Sequence, residues 1–200
     1  MQKLTRAASL LSAFLILMLG STTCKTNEPI SCEVIYETIF STFPAQETNP
    51  AVVRHWIAEQ YTVVDASLNE WADIRGQYHY RWSLNKKDYQ IQVGKDGADL
   101  IVDWKDRKPN LEEVIGCFGK PEYYEARVIP PSDAQSLTYF GIWYPSKRIF
   151  IYTTQPSSNL VVNQVTTFNT LSVPSSSSVR LMKLKPWPTT SNDLQVDPSP

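Results

Sequence analysis

The spacing of hydrophobic positions changes character several times along this chain, and each change marks an element. Ala7 to Leu19 is a continuous apolar run without a charge, and polar residues dominate from there to Pro29. A short patch, Val34-Ile35-Tyr36 with Ile39-Phe40, has the spacing of one or two helical turns packed on a larger body, with Cys32 at its start. A clearer helix is predicted from Pro50 to Tyr61. Asn49 suits the N-cap, Pro50 the first helical position, and Val53, Trp56, Ile57 and Tyr61 recur on one side. His55 then points the other way, into solvent. From Ile74 to Trp104 the period drops to two, as in strands buried on one face. Tyr78, Tyr80, Trp82 and Leu84 share one face, and Gln77, His79, Arg81 and Ser83 the other. A turn at Asn85-Lys86-Lys87-Asp88 leads to a strand with Tyr89, Ile91 and Val93 in phase. Lys95-Asp96-Gly97 turns into a third strand, Ala98 to Trp104, carrying Leu100, Val102 and Trp104.

The pattern then restarts. Pro109 breaks the chain, Asn110 caps, and Glu113 stands at the third helical position, where it can complete a capping box. Leu111, Val114, Ile115 and Phe118 follow helical spacing, and Gly119 with Pro121 stops the helix. Strands are predicted at Tyr123 to Ile129, Leu137 to Tyr144 and Arg148 to Thr154, with turns at Pro130-Pro131-Ser132-Asp133 and Pro145-Ser146-Lys147. Laying Asn49 on Asn110 places Val53 on Val114 and Ile57 on Phe118, so two tandem α-then-β modules, 49–105 and 109–154, are expected within a domain of residues 49–185. The fold class expected is α+β, with short helices packed on a mostly antiparallel sheet. In the 155–185 extension, Leu160-Val161-Val162 and Val165 to Phe168 form one more predicted element, Ser175 to Ser178 a flexible joint, and Val179 to Leu184 an edge strand protected by Arg180, Lys183 and Lys185. Repeated prolines make 186–200 a disordered tail.

The N-terminal run has a specific meaning. Lys3 and Arg6 form a positive n-region before the apolar stretch, and small residues follow it, so 1–23 reads as an export signal. The run is shorter than the ~20 apolar residues of a comfortable span, which makes an uncleaved anchor the lesser alternative. Cys24, just past this stretch, resembles the lipidated cysteine of bacterial lipoproteins, with Ser21 and Thr23 at places where Leu and a smaller residue are usual. The resemblance implies that Cys24 becomes an acylated, palmitate-bearing N-terminus, that 24–48 is a tether with a short helix, and that the protein is held on the cell membrane or outer envelope. The alternative is ordinary secretion after cleavage near Ser21 to Thr23.

A second resemblance lies in Leu111-Glu112-Glu113-Val114-Ile115-Gly116-Cys117-Phe118-Gly119-Lys120-Pro121 and the aromatic-rich strands after it. This passage resembles the helix, Leu-Gly-x-Pro and strand of small bacterial envelope lipoproteins of the small-protein-A and outer-membrane-lipoprotein-A type, with Phe118 in place of the usual Leu. It implies an α+β envelope lipoprotein that binds other proteins or tunes their assembly without catalysis.

Composition narrows the classes further. The chain has 200 residues, 42% hydrophobic and 12% aromatic, ample for a core. Its formal charge of −1 falls by two when Lys3 and Arg6 leave with the signal, so neither a nucleic-acid footprint nor a polybasic membrane patch is expected. Three cysteines are an odd set for an oxidising compartment. If Cys24 carries lipid, Cys32 and Cys117 remain as an even set and are expected to be bridged. Two unrelated thiols, or a Cys24 to Cys32 bridge without lipid, are the alternatives.

Hydrolase elbows, zinc-protease helices, phosphate loops and dinucleotide fingerprints are absent from the sequence. With His55 and His79 the only histidines, a histidine-rich metal site is excluded, and no cofactor is expected. Asp96-Gly97-Ala98-Asp99 lacks the alternating acids of a calcium loop and reads as a hairpin turn. Three functions stand: a non-catalytic module binding another envelope protein; a glycan or small-ligand module using Tyr78, Tyr80, Trp82, Tyr139 and Trp143 as an aromatic surface; and a hydrolase without a recognised motif. Burial separates the first two. An open aromatic ladder favours glycan, whereas a covered ladder with a separate apolar patch favours a protein partner.

Overall fold

The computed structural model describes residues 29–61, 67–129, 137–156 and 167–189. The export signal, Cys24, most of the tether, the turn at 130–133, the 160–162 and 165–166 segments and the tail from 190 lie outside the described residues.

Short helices pack on a nine-stranded, open, antiparallel sheet, an α+β architecture. In chain order the elements are α1 (Cys32–Ile35), a 3-10 turn (Thr38–Thr42), α2 (Pro50–Gln60), β1 (Asn69–Ala72), β2 (Tyr78–Leu84), β3 (Lys87–Gly94), β4 (Gly97–Trp104), α3 (Leu111–Phe118), β5 (Tyr123–Ile129), β6 (Leu137–Tyr144), a 3-10 turn (Pro145–Lys147), β7 (Ile149–Pro156), β8 (Thr170–Val173), α4 (Ser176–Leu181) and β9 (Lys185–Pro186). The strand order β1-β2-β3-β4-β8-β7-β6-β5-β9 sets the meander β2-β3-β4 on one side of β8 and β7-β6-β5 on the other.

Local chemistry explains the boundaries. The Asn49 side chain accepts the Ala51 N–H at the start of α2, and Asn110 with Glu113 forms a complete capping box on α3. Asn85 and Lys86, at φ 49° and 62°, form a tight turn with both central residues left-handed, matching the twist of the flanking strands.

Register then assembles the core. Trp82, Tyr89, Val102, Leu171, Ile151, Ile142 and Tyr124 stand opposite one another in turn, a single buried row across β2, β3, β4, β8, β7, β6 and β5. The apolar sides of α2 and α3 join the same cluster through Val53, Trp56, Ile57, Leu111 and Val114. The Tyr80 hydroxyl donates to the Pro50 carbonyl at 2.9 Å, fixing where α2 lands on the sheet. His55 lies on the exposed side of α2, 3.0 Å from Glu59.

Several expectations need correction. Lys87, assigned to a turn, is buried: its ammonium lies 2.7 Å from Glu37 Oε1, which also accepts the Tyr89 hydroxyl at 2.6 Å. Without that carboxylate, an interior cation would carry a large desolvation cost. Thr170–Val173, not predicted, is the strand joining the two meanders, covered on both faces. Ser175 to Ser178 is no joint. Ser175 caps α4 by accepting the Ser178 N–H, while Asp99 accepts the Ser175 N–H and the Ser178 hydroxyl. Val179 to Leu181 is therefore helical, and the edge strand is only Lys185–Pro186, opposite Tyr124 and Tyr123. The tail from 186 begins ordered, because Trp187 packs edge-on against Tyr124.

Burial also sets a pH limit. Desolvation raises the hydroxyl pKa of Tyr61, Tyr89, Tyr139 and Tyr144 and pushes Tyr80 and Tyr152 up to about 12. The folded-state values exceed the unfolded value of about 10. Their contribution to stability is thus complete below about pH 10 and is lost as pH rises above it. Phenolate absorbance from these rings should emerge together with loss of near-ultraviolet circular dichroism. Smooth titration of all ten tyrosines in a chain that keeps its dichroism would refute the burial.

Candidate functional site

The five aromatic residues singled out by alternation do not form one surface. Tyr80 and Trp82 are core residues on the face covered by the helices, and Trp82 stacks on Tyr89 at 5.1 Å between centroids. They cannot serve as an open ladder. Tyr78, on the same face at the end of β2, is 41% exposed.

Tyr139 and Trp143 lie on the opposite face. There Trp143 stands across from Phe150, Gly141 across from Tyr152, and Glu125 across from Gly141. A side chain at 141 would collide with the Phe150 ring, whose Cζ lies 2.2 Å from where a Cβ would sit, so glycine is required for the ring to lie flat on the strand. The Arg127 guanidinium lies 5.1 Å above the Tyr139 ring. Glu125 is only 3% exposed. Its Oε1 is 3.3 Å from Arg127 Nε, within ion-pair range, and among the described residues it has no hydrogen-bond partner. Trp143 and Phe150 are buried, so this patch too is covered rather than open.

Among the described residues, the β1 edge of the sheet is exposed along its whole length. Its strand exists because of the turn that follows it. Asp73 Oδ1 accepts the N–H groups of Arg75 and Gln77 at 2.8 and 2.9 Å, and Gly76 takes the left-handed φ of 74° that closes the turn. The Gln77 and Arg75 N–H groups, with His79, hold the Asp73 carboxyl below its ordinary pKa. Asp73 Oδ2 lies 3.3 Å from His79 Nε2, and His79 stacks nearly parallel on Trp71 with centroids 5.0 Å apart. All four β1 residues are exposed, Trp71 is 40% exposed, and Ile74 in the turn is wholly so. Trp71 sits on one face of this edge and Tyr78 near the other, opposite Ala72. Sequence reading missed the strand because four residues are too few for a periodic signal. The Asp73-Ile74-Arg75-Gly76 turn was the signal available.

The opposite edge differs. β9 is two residues long and ends in Pro186, which has no N–H to offer, and Lys185 precedes it. β1 contains neither proline nor lysine, and its one charge, Glu70, lies 3.3 Å from Arg54 Nε.

The Cys32–Cys117 disulfide, with Cα atoms 5.3 Å apart, ties α1 to α3. Glu113 strengthens the same junction: besides its capping role, it accepts the Ile30 N–H at 3.0 Å and the Arg107 guanidinium at 2.8 Å. Among the described residues, no group of three potential ligands is placed to hold a metal, and no helix is long and apolar enough to cross a membrane. No protein-family model, curated protein or solved structure matches the chain.

Proposed function

We propose that this protein is an exported, lipid-anchored interaction module of the cell envelope, which binds another envelope protein as an extended strand added to β1. The observation that carries the reading is the contrast between its two sheet edges. β9 is blocked by lysine and proline, whereas β1 contains neither and, among the described residues, is flanked by exposed Trp71, Ile74 and Tyr78. Strand addition would satisfy the free backbone groups of the edge, and the aromatic rings on its two faces would select side chains of the incoming segment. Covered aromatics elsewhere on the sheet argue for a protein partner over a glycan. The disulfide fits an oxidising compartment outside the cytosol.

The test has two parts. The intact mass of membrane-extracted protein should start at an acylated Cys24; a retained Met1 or another first residue removes the anchor. A photo-cross-linking residue at Asn69 should give one discrete adduct in cells, and Trp71→Lys should reduce it several-fold, as expected when a charge replaces an aromatic anchor. An adduct undiminished by Trp71→Lys, or equal yield from a probe at Lys183 beside β9, rejects the edge as the docking site.

A further inference from the structure

A pocket of about 280 Å³ opens beside the 3-10 turn that precedes β7, lined by Tyr36, Phe40, Ser41, Ser146, Lys147 and Arg148, with Val173 completing it. Its floor is apolar, since Phe40 and Val173 are buried. Its rim is cationic and hydroxylic, and among the described residues no acid lines it. The nearest carboxylate in sequence, Glu37, is already engaged by Lys87 and Tyr89. Among the described residues neither Lys147 nor Arg148 forms an ion pair. Lys147 is held instead over the Phe118 ring, 5.8 Å from its centroid.

Arg148 is the second observation. Its backbone is left-handed, φ 55° and ψ 36°, a conformation that glycine or asparagine adopts at lower cost. That turn brings the arginine to the mouth of the pocket. The Ser41 hydroxyl donates to the Thr38 carbonyl at 2.7 Å and is also hydrogen-bonded to Tyr36, so the donors left on the rim are Ser146, Lys147 and Arg148. Two cations and the Ser146 hydroxyl around one small cavity match an oxyanion with several acceptor oxygens.

We propose that this pocket binds a phosphate group. Its position suggests one source. Tyr36 lies one helical turn beyond Cys32, its N–H donating to the Cys32 carbonyl, and the seven residues between Cys24 and Cys32 let the two lie at most about 28 Å apart. On the reading that Cys24 is lipidated, the tether keeps the pocket within reach of phospholipid headgroups, whose phosphate would then orient the domain on the membrane. Free phosphate or a soluble phosphate ester is the other source of the same chemistry.

The experiment uses the full chain, with Arg148→Gly and Lys147→Gln as variants. Arg148→Gly suits the left-handed backbone and should leave thermal stability equal to or above wild type. In solution, titration of inorganic phosphate and of glycerol 3-phosphate should broaden their phosphorus resonances with wild type. Each variant should weaken that binding roughly three- to fivefold, the range of single exposed charge contacts. In a second arm, co-sedimentation with phosphatidylglycerol vesicles is compared with phosphatidylcholine vesicles. The N-terminal apolar segment is common to all three chains, so only the increment lost in the variants reports on the pocket. A loss with phosphatidylglycerol identifies the headgroup, and a loss confined to the soluble esters identifies a free phosphate. Equal binding by wild type and both folded variants in every arm overturns the site. Absence of Cys24 acylation with phosphate binding intact would fail the anchored reading and leave the pocket standing.

Discussion

Replacing both Cys32 and Cys117 with alanine should lower stability by about 4–5 kcal/mol in the chain-entropy treatment. The bridge closes a sequence separation of 85 residues, which contains α2, the first four strands and most of α3. In the denatured state it therefore forbids a large set of expanded conformations, and removing it returns that entropy to the unfolded chain. The bridge does not stand alone in the native state. Ile30 to Glu113 and Arg107 to Glu113 hold the same junction, and the Tyr36 ring meets Phe118 edge-on at 5.8 Å. The fold should accordingly survive in the double variant, with its urea midpoint displaced and its slope increased because a less restrained chain exposes more surface. An unchanged midpoint would mean that the denatured chain keeps these ends together without the bond.

Trp56→Ala should cost about 3–5 kcal/mol, the range for removing a large aromatic from a packed core. Trp56 is nearly buried, meets Phe43 at 5.2 Å and Tyr61 at 6.0 Å in edge-on geometry, and its indole N–H points at the Thr42 hydroxyl 3.4 Å away. It is the residue through which α2 holds both the 3-10 segment and the aromatic cluster of Tyr61, Trp82 and Tyr89. Its loss leaves a cavity that a single helix of three turns cannot collapse to fill. Thermal unfolding checks this directly. A midpoint within a degree or two of wild type would show that α2 is not packed as described.

Helix caps and strand alternation were legible because they depend on neighbours a few residues apart. Asn49 and Asn110 marked α2 and α3, and the period of two in Tyr78 to Trp104 marked β2, β3 and β4. The even cysteine pair was legible too, as compartment arithmetic rather than geometry. β8 was not. It alternates Thr and Leu, Ser and Val over four residues, and its polar members are buried because Asp103 accepts from Thr170 and the Phe150 carbonyl from Ser172 across strands. Lys87 misled for the same reason: its partner, Glu37, is 50 residues away.

By itself, then, the sequence determined the α+β class, the start and stop of the principal helices, and which side of each early strand faces the core. Capping, turn geometry and side-chain period act within a few residues, and a linear reading contains them whole. Tertiary structure alone decided that β8 stitches the two meanders together, that β1 and β9 form the two edges of the sheet, and that Tyr36, Lys147 and Arg148 meet around one pocket. Those outcomes depend on contacts between residues tens of positions apart, and their energy exists only once burial has removed water from both partners.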